Sequence, residues 1–216
     1  MFRNRQHAGE LLAALLPTYR SQSNTIVLAL PRGGVPVAAV LARELGLPLD
    51  VFPVRKLGAP GQPEYAMGAI AVNGLVALHQ HAIAHLNIPQ SAIEAVIARE
   101  HEELFRQERT YRESRPPLIL AGKTIIFVDD GLATGYTMLA AIRAAREQHP
   151  ARIVVAVPLA PSETIELLRS EADEVVCVHT PRDLFAIGQF YEDFSQTTDD
   201  EVREALRELA SDPAAR

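Results

Sequence analysis

The chain has 216 residues, 48% of them apolar and 22% charged, with a formal net charge of −6. This fits one α/β domain, or one with a small appendage, of ordinary globular composition. The acidic balance, with no long basic run, excludes a nucleic-acid footprint. The lone Cys177, inside the apolar run 175–178, excludes an internal disulfide and reads as a buried core thiol in a reducing, cytoplasmic compartment.

In chain order, residues 4–16 read as an amphipathic helix, with Leu11, Leu12, Leu15 and Leu16 on one side and Pro17 ending it. Arg3 and Arg5 lead into this amphipathic stretch rather than a plain apolar one, so no signal peptide is visible. Thr25–Leu30 is a short apolar strand running into Pro31-Arg32-Gly33-Gly34. A helix follows with Val37, Val40, Leu41 and Leu45 on its face, ending near Gly46. Strand, Gly-rich loop and helix form a phosphate-binding layout, although Arg-Gly-Gly alone also fits a simple turn. Leu49–Val54 reads as a third strand. Its end, Arg55-Lys56, sits where ligands bind in parallel sheets, the alternative being solvated surface charge. Residues 57–68 hold three Gly and two Pro and read as a long loop.

Asn73-Gly74, flanked by Ala69–Val72 and Leu75–Leu78, is a hairpin signal. His79, His81 and His85 follow. The i, i+4 spacing of His81 and His85 permits a metal site, but no carboxylate or thiol lies near to complete it, so no metal is assigned. The stretch 65–93 lacks charged residues, but Asn73, His79, Gln80, His81, His85, Asn87 and Pro89 interrupt it, which argues against a membrane span. Residues 91–114 read as one long helix, with a Ser91/Glu94 capping box and an apolar face of Ile93, Val96, Ile97, Leu104 and Phe105. Ion pairs Glu102–Arg106, Glu108–Arg112 and Arg109–Glu113 line its second half, and Pro116-Pro117 stops it.

Four apolar residues, Ile125–Val128, then read as a buried parallel strand that runs into Asp129 and Asp130. Beyond them lie Ala133, Thr134, Gly135 and Thr137, and a helix with Met138, Leu139, Ile142 and Ala145 at helical spacing. A helix N-terminus offers free N–H groups to a phosphate, and Thr134 and Thr137 add hydroxyl donors. Two carboxylates beside it can accept hydrogen bonds from sugar hydroxyls or sit near magnesium. Together these point to a sugar phosphate. Gly122-Lys123-Thr124 mimics the end of a P-loop, but Pro117 stands where that motif needs Gly. Strand 153–157, helix 162–169 and strand 175–178 complete a mostly parallel α/β sheet flanked by helices. Phe185, Phe190, Tyr191 and Phe194 either stack on a flat base or cover a sheet edge, and Thr198–Leu209 closes as a helix capped by Thr198.

The stretch 125–138 resembles the phosphoribosyl-pyrophosphate (PRPP) signature of the type I phosphoribosyltransferases, with one departure at Gly131, where an aliphatic residue is usual. The resemblance implies a single phosphoribosyltransferase-like domain over 1–216. It also implies a small hood from about 1–20 and 180–197 and a helical insertion at about 79–114 that is a candidate for dimerisation. Asp129 and Asp130 would hold the ribose hydroxyls. The loop Ala133, Thr134, Gly135, Tyr136 and Thr137 would hold the 5′-phosphate, with Gly131 part of the same ribose-phosphate site. Arg32, Gly33 and Gly34 resemble the pyrophosphate loop of xanthine-guanine enzymes, which often carries a non-proline cis peptide. The run from Val54 to Tyr65 is similar to adenine enzymes: Arg55 and Lys56 would serve catalysis, the loop would close over the site, and Glu64 is either a proton donor or an ordinary loop glutamate. Phe185 and Tyr191 would form the acceptor hood.

The implied reaction is transfer of the 5-phosphoribosyl group from PRPP, bound with Mg2+, to a nitrogen nucleophile, releasing pyrophosphate, in nucleotide salvage and as a homodimer. Ala133 replaces the aspartate of hypoxanthine-guanine enzymes and matches adenine enzymes, but segment 79–114 does not look like an adenine enzyme. The chain is more similar to a bacterial branch sharing the Pro-Arg-Gly-Gly and Arg-Lys-Leu-Gly-Ala-Pro-Gly runs, where resemblance gives the donor site and leaves the acceptor open. The alternative is a non-catalytic regulator that senses PRPP.

Overall fold

The structure, a computed structural model, describes residues 1–71, 74, 76–112 and 115–211, with the side chains of Pro63, Glu64 and Ser211 outside that description. Its centre is a five-stranded, wholly parallel sheet of β1 (Thr25–Ala29), β2 (Leu49–Val51), β6 (Thr124–Val128), β7 (Arg152–Leu159) and β8 (Glu174–His179). Across the sheet the order is β2-β1-β6-β7-β8. Each strand sends alternate residues to opposite faces, so one apolar run serves two cores. Val27, Ala29, Ile126, Val128, Val154 and Ala156 face α1 (Arg5–Ala14), α2 (Gly34–Leu45) and α7 (Asp199–Ser211). Their neighbours Leu28, Ile125, Phe127, Ile153, Val155 and Val157 face α5 (Tyr136–Arg146) and α6 (Ser162–Arg169).

Strand β1 connects outward to β2, whereas β6 connects the other way to β7. The chain reverses direction across the sheet between β1 and β6, and the crevice beyond their carboxyl ends is where such sheets bind ligands.

The structure corrects the reading of residues 49–78. The third strand ends at Val51 rather than Val54, because Pro53 has no N–H to continue the ladder. Residues 57–68 are not a loop. Strands β3 (Val54–Ala59) and β4 (Gln62–Ala71) form an antiparallel hairpin around a tight turn at Pro60-Gly61, and β5 (Val76–Leu78) adds a third strand. Alternate burial of Leu57, Ala59, Met67 and Ala69 is the strand signature that the Gly and Pro content hid. The β4–β5 pairing matches the hairpin expected around Asn73-Gly74, although Val72, Asn73 and Leu75 lie outside the described residues.

The short helix α3 (Gln80–His85) leads to α4 (Gln90–Arg112). Helix α4 begins one residue before Ser91, the Pro89 carbonyl accepts from Ala92 and Ile93, and Glu94 accepts from the Gln90 amide, so the expected capping box does not form. Arg106 pairs with Glu103 rather than Glu102, Arg112 lies 3.6 Å from Glu108, and Glu113 lies outside the described residues. Ile93, Val96 and Leu104 pack on Leu57, Met67 and Ile70, so α4 supplies the hairpin's own core. Among the described residues no helix is long and apolar enough to cross a membrane. Cys177 is half-buried on edge strand β8, donating to the His179 carbonyl, rather than lying deep in the core.

Candidate functional site

The crevice between β1 and β6 is built by close approach. After β1 the Pro31–Arg32 peptide is cis, and Gly33 and Gly34 open α2. A side chain at Gly33 would overlap the Asp130 carboxylate, its Cβ lying 2.7 Å from Cγ; at Gly34 a Cβ would lie 2.6 Å from the Val128 carbonyl oxygen and 2.9 Å from the Asp129 Cα. Gly33 has φ −57°, so contact rather than backbone conformation requires glycine there. The Pro31–Gly34 loop and the acid pair therefore touch, as their sequence motifs alone could not show.

Past the acids, Gly131 takes φ +156°, and a Cβ there would meet Ile187 at 2.8 Å and Leu159 at 3.1 Å. The space an aliphatic side chain would take is filled from the tail by Ile187. Gly135 caps α5 in the left-handed conformation, φ +73°, with Thr164 of α6 closing in from behind. The Thr164 hydroxyl donates to the Ala133 carbonyl at 2.7 Å and braces this loop, while Ala133, Thr134, Tyr136 and Thr137 stay exposed at the α5 N-terminus. Five exposed or tightly turned residues at a helix start make an anion cradle.

Asp129 and Asp130 are two adjacent, poorly hydrated carboxylates. Burial, then the charge of Asp130, pushes Asp129 well above the usual carboxylate range. Burial also raises Asp130, while the Arg5 guanidinium opposes that shift. Asp129 Oδ1 accepts the Asp130 N–H at 2.9 Å, which fixes the turn. Arg5, at the first position of α1, donates through Nε at 2.8 Å to Asp130 Oδ2, with Nη2 at 2.7 Å from the same oxygen. Sequence reasoning missed Arg5. The available signal was a cation in the first turn of a helix, where it opposes the macrodipole and needs a use elsewhere.

A cavity of about 320 Å³ is lined by Arg5, Arg32, Gly33, Asp129, Asp130, Phe194, Gln196 and Thr197. Arg32 opens into it and lies 3.5 Å from Asp199 at the start of α7. The Tyr111 hydroxyl donates to Asp199 at 2.8 Å, and with the charges of Arg32 and Arg106 this holds Asp199 below the usual carboxylate range.

Of the other expected site residues, Tyr191 touches this cluster, whereas Arg55, Lys56 and Phe185 are not among the residues that line the cavity. Arg55 sits on β3 and donates to Glu100 of α4 at 3.0 Å. Lys56 is its half-buried neighbour on the strand, and the Glu64 side chain lies outside the described residues. The Tyr191 ring packs between Phe2 and Phe194, and its hydroxyl donates to the Asp130 carbonyl at 2.6 Å, so it braces the acid turn. Phe185 is 87% exposed. His81 and His85 are exposed on α3, while His79 faces a narrow depression between the hairpin and α5, lined also by Tyr136 and Arg143.

Comparison with known proteins places this geometry. Residues 3–194 match the family model of the phosphoribosyl transferase domain. Two Mycobacterium tuberculosis proteins, from strains CDC 1551 and H37Rv and provisionally named phosphoribosyl transferases, are each 43% identical over 202 residues. That match takes in 94% of this chain but 45% of each relative, so the chain spans less than half their length. The crystal structure of TT1426 from Thermus thermophilus is 44% identical, covers 96% of this chain and 98% of its own, and superposes with a TM-score of 0.85. With the glycine loop, the acid pair and the small-residue loop converging at the reversal point of a parallel sheet, and a family match over nearly the whole chain, the protein belongs to the phosphoribosyl transferase domain family.

Proposed function

We propose that the chain binds PRPP with magnesium and transfers its 5-phosphoribosyl group to a nitrogenous base or other nitrogen nucleophile, releasing pyrophosphate, in nucleotide salvage in the cytoplasm and as a homodimer. The observation that carries this reading is the contact of Gly33 and Gly34 with Asp129 and Asp130. It supports the reading because a glycine loop able to take pyrophosphate would then lie beside a pair of hydroxyl acceptors, as a ribose carrying pyrophosphate at C1 and hydroxyls at C2 and C3 requires. Residues 133–137 then supply the second anion site, for the 5′-phosphate.

The roles follow from charge. Arg32 and the Gly33 amide stabilise the pyrophosphate as it leaves, while the Gly34 N–H, expected to join them, is donated to the Leu30 carbonyl at 3.1 Å and holds the loop; the acids fix the ribose ring as charge develops on it. Magnesium entering with the donor would offset the pyrophosphate charge; hydroxyl and carboxylate oxygens, which this crevice offers, are the hard donors such an ion takes. The β3–β4 hairpin carries Arg55, Lys56 and Glu64, and its tip closes over the site to exclude water. Phe185 and the tail around Tyr191 frame the acceptor side. Titration calorimetry of PRPP with and without magnesium tests the donor site, and pyrophosphate release with a panel of bases, adenine first, tests transfer. Binding without release would favour the regulator.

Asp129→Asn separates site from scaffold. Asparagine keeps the acceptor for the Asp130 N–H but removes a charge that burial disfavours. The folded carboxyl titrates above its unfolded value, so its ionisation destabilises the fold progressively as pH rises past about 4. The variant is expected to melt higher than the parent at pH 7, with the gain fading on acidification, and to bind PRPP at least about 10-fold more weakly. Unchanged affinity would count against the ribose role.

A further inference from the structure

Resting on the donor site above, we propose that Arg5 is a positioning residue: it orients and neutralises Asp130 so that the acid pair can receive the ribose hydroxyls of an anionic donor, without itself touching the donor. Every arm of its guanidinium is committed within the protein. Nε and Nη2 address Asp130 Oδ2, and Nη1 donates to the Ser195 carbonyl at 2.6 Å. The plane lies 3.9 Å over the Phe194 ring. The Arg5 side chain is 11% exposed and that of Asp130 13%, so the pair is largely withdrawn from water. Both contacts to Asp130 fall on one oxygen, Oδ2, which leaves Oδ1 outside the Arg5 fork.

Three considerations favour positioning over simple bracing. A guanidinium at the first position of α1 opposes the helix dipole, so local helix stability does not explain it. Two adjacent carboxylates without a counter-ion would repel a ligand that carries several phosphate charges. A planar fork, fixed by stacking and by the Ser195 carbonyl, sets the rotation of the carboxylate it grips in a way that a lysine ammonium cannot.

The test reads hydroxyl discrimination rather than affinity alone. Binding of ribose 5-phosphate and of 2-deoxyribose 5-phosphate is measured by calorimetry on the full chain, for the parent, Arg5→Gln, Arg5→Lys and Phe194→Leu. The parent is expected to prefer ribose 5-phosphate by about 10-fold, the value of a hydrogen bond to a charged acceptor. Arg5→Gln is expected to bring that preference to within about twofold of unity, in addition to the loss that both ligands share from the uncompensated Asp130 charge. Arg5→Lys restores part of the preference. Should Arg5→Gln fail to fold, Phe194→Leu, which frees the guanidinium plane but keeps the charge, is expected to lower the preference by about threefold or more. Equal loss of both ligands in the folded variants would overturn the proposal, since a structural defect or a direct phosphate contact acts on both alike. Parent protein that binds PRPP but shows no hydroxyl preference also overturns it, leaving the donor-site reading in place. Parent protein that binds neither PRPP nor the two sugar phosphates overturns the donor-site reading and this inference with it.

Discussion

Gly33→Ala is expected to weaken PRPP binding by about 100-fold while leaving most of the fold in place. The added methyl would overlap the Asp130 carboxylate, and something must shift to admit it. The backbone offers no relief, because φ −57° already suits any residue and the clash is between neighbouring segments. Asp130 cannot swing away freely either: Arg5 grips Oδ2, and the Asp130 N–H is tied to Asp129. The two ways out are to rotate the carboxylate, which breaks the Arg5 pair, or to move the 31–34 loop outward, which separates the proposed pyrophosphate loop from the acids proposed to hold the ribose. Either displaces donor-binding groups by about 1 Å, enough for a loss of about 100-fold. Calorimetry with PRPP and magnesium, alongside a thermal melt, gives the result; binding within about threefold of the parent would sink the argument that these loops work as one unit.

The elements that build this unit were legible because their signals are local. Ile125–Val128 is a continuous apolar run, as a strand buried on both faces requires, and the acids and glycines that follow it are consecutive in sequence. What could not be read is whatever depends on distant segments meeting. Arg5 lies 125 positions from Asp130, and nothing in its own neighbourhood announces the pair. The Arg55–Glu100 pair has the same character, joining a strand to a helix across 45 positions. The hairpin at 54–71 was misread for a different reason. Gly58, Gly61, Gly68, Pro60 and Pro63 outvoted the alternation of Leu57, Ala59, Met67 and Ala69, although the register shifts around Gly58 are where a bent edge strand uses a glycine. Tyr191 was read for its flat face, but its hydroxyl bond to the Asp130 carbonyl gives it a bracing role that its residue type did not reveal.

The second large effect lies away from the crevice. Asp50 and Arg112 are 7% and 6% exposed and form a buried ion pair at 3.1 Å. Arg112 also donates to the Pro116 carbonyl at 2.6 Å, and Arg115 reaches toward Asp50 at 3.7 Å while donating to the Leu49 carbonyl at 3.1 Å and to the Leu206 carbonyl. One carboxylate on β2 therefore fixes the end of α4 and the flank of α7. Asp50→Ala would leave the buried Arg112 with only Glu108, 3.6 Å away, and the Pro116 carbonyl, a defect that costs up to about 3–5 kcal/mol. For a chain of this size that is expected to lower Tm by about 6–20 °C. Replacing both partners, Asp50→Leu with Arg112→Met, removes the stranded charge and is expected to recover most of the loss. The consequence for the site travels along the same helices. Tyr111, next to Arg112, and Asp199, at the start of α7, meet in the hydrogen bond that holds Asp199 against Arg32. Loosening α4 from β2 is therefore expected to weaken pyrophosphate binding in the folded Asp50→Ala protein by about threefold or more, while ribose 5-phosphate, which answers to Asp129, Asp130 and the 133–137 loop, is held nearly as before. Equal weakening of both ligands would mean that the buried pair supports the whole sheet and not the Arg32 side of the crevice, and a Tm shift under about 2 °C would mean that water already reaches Arg112.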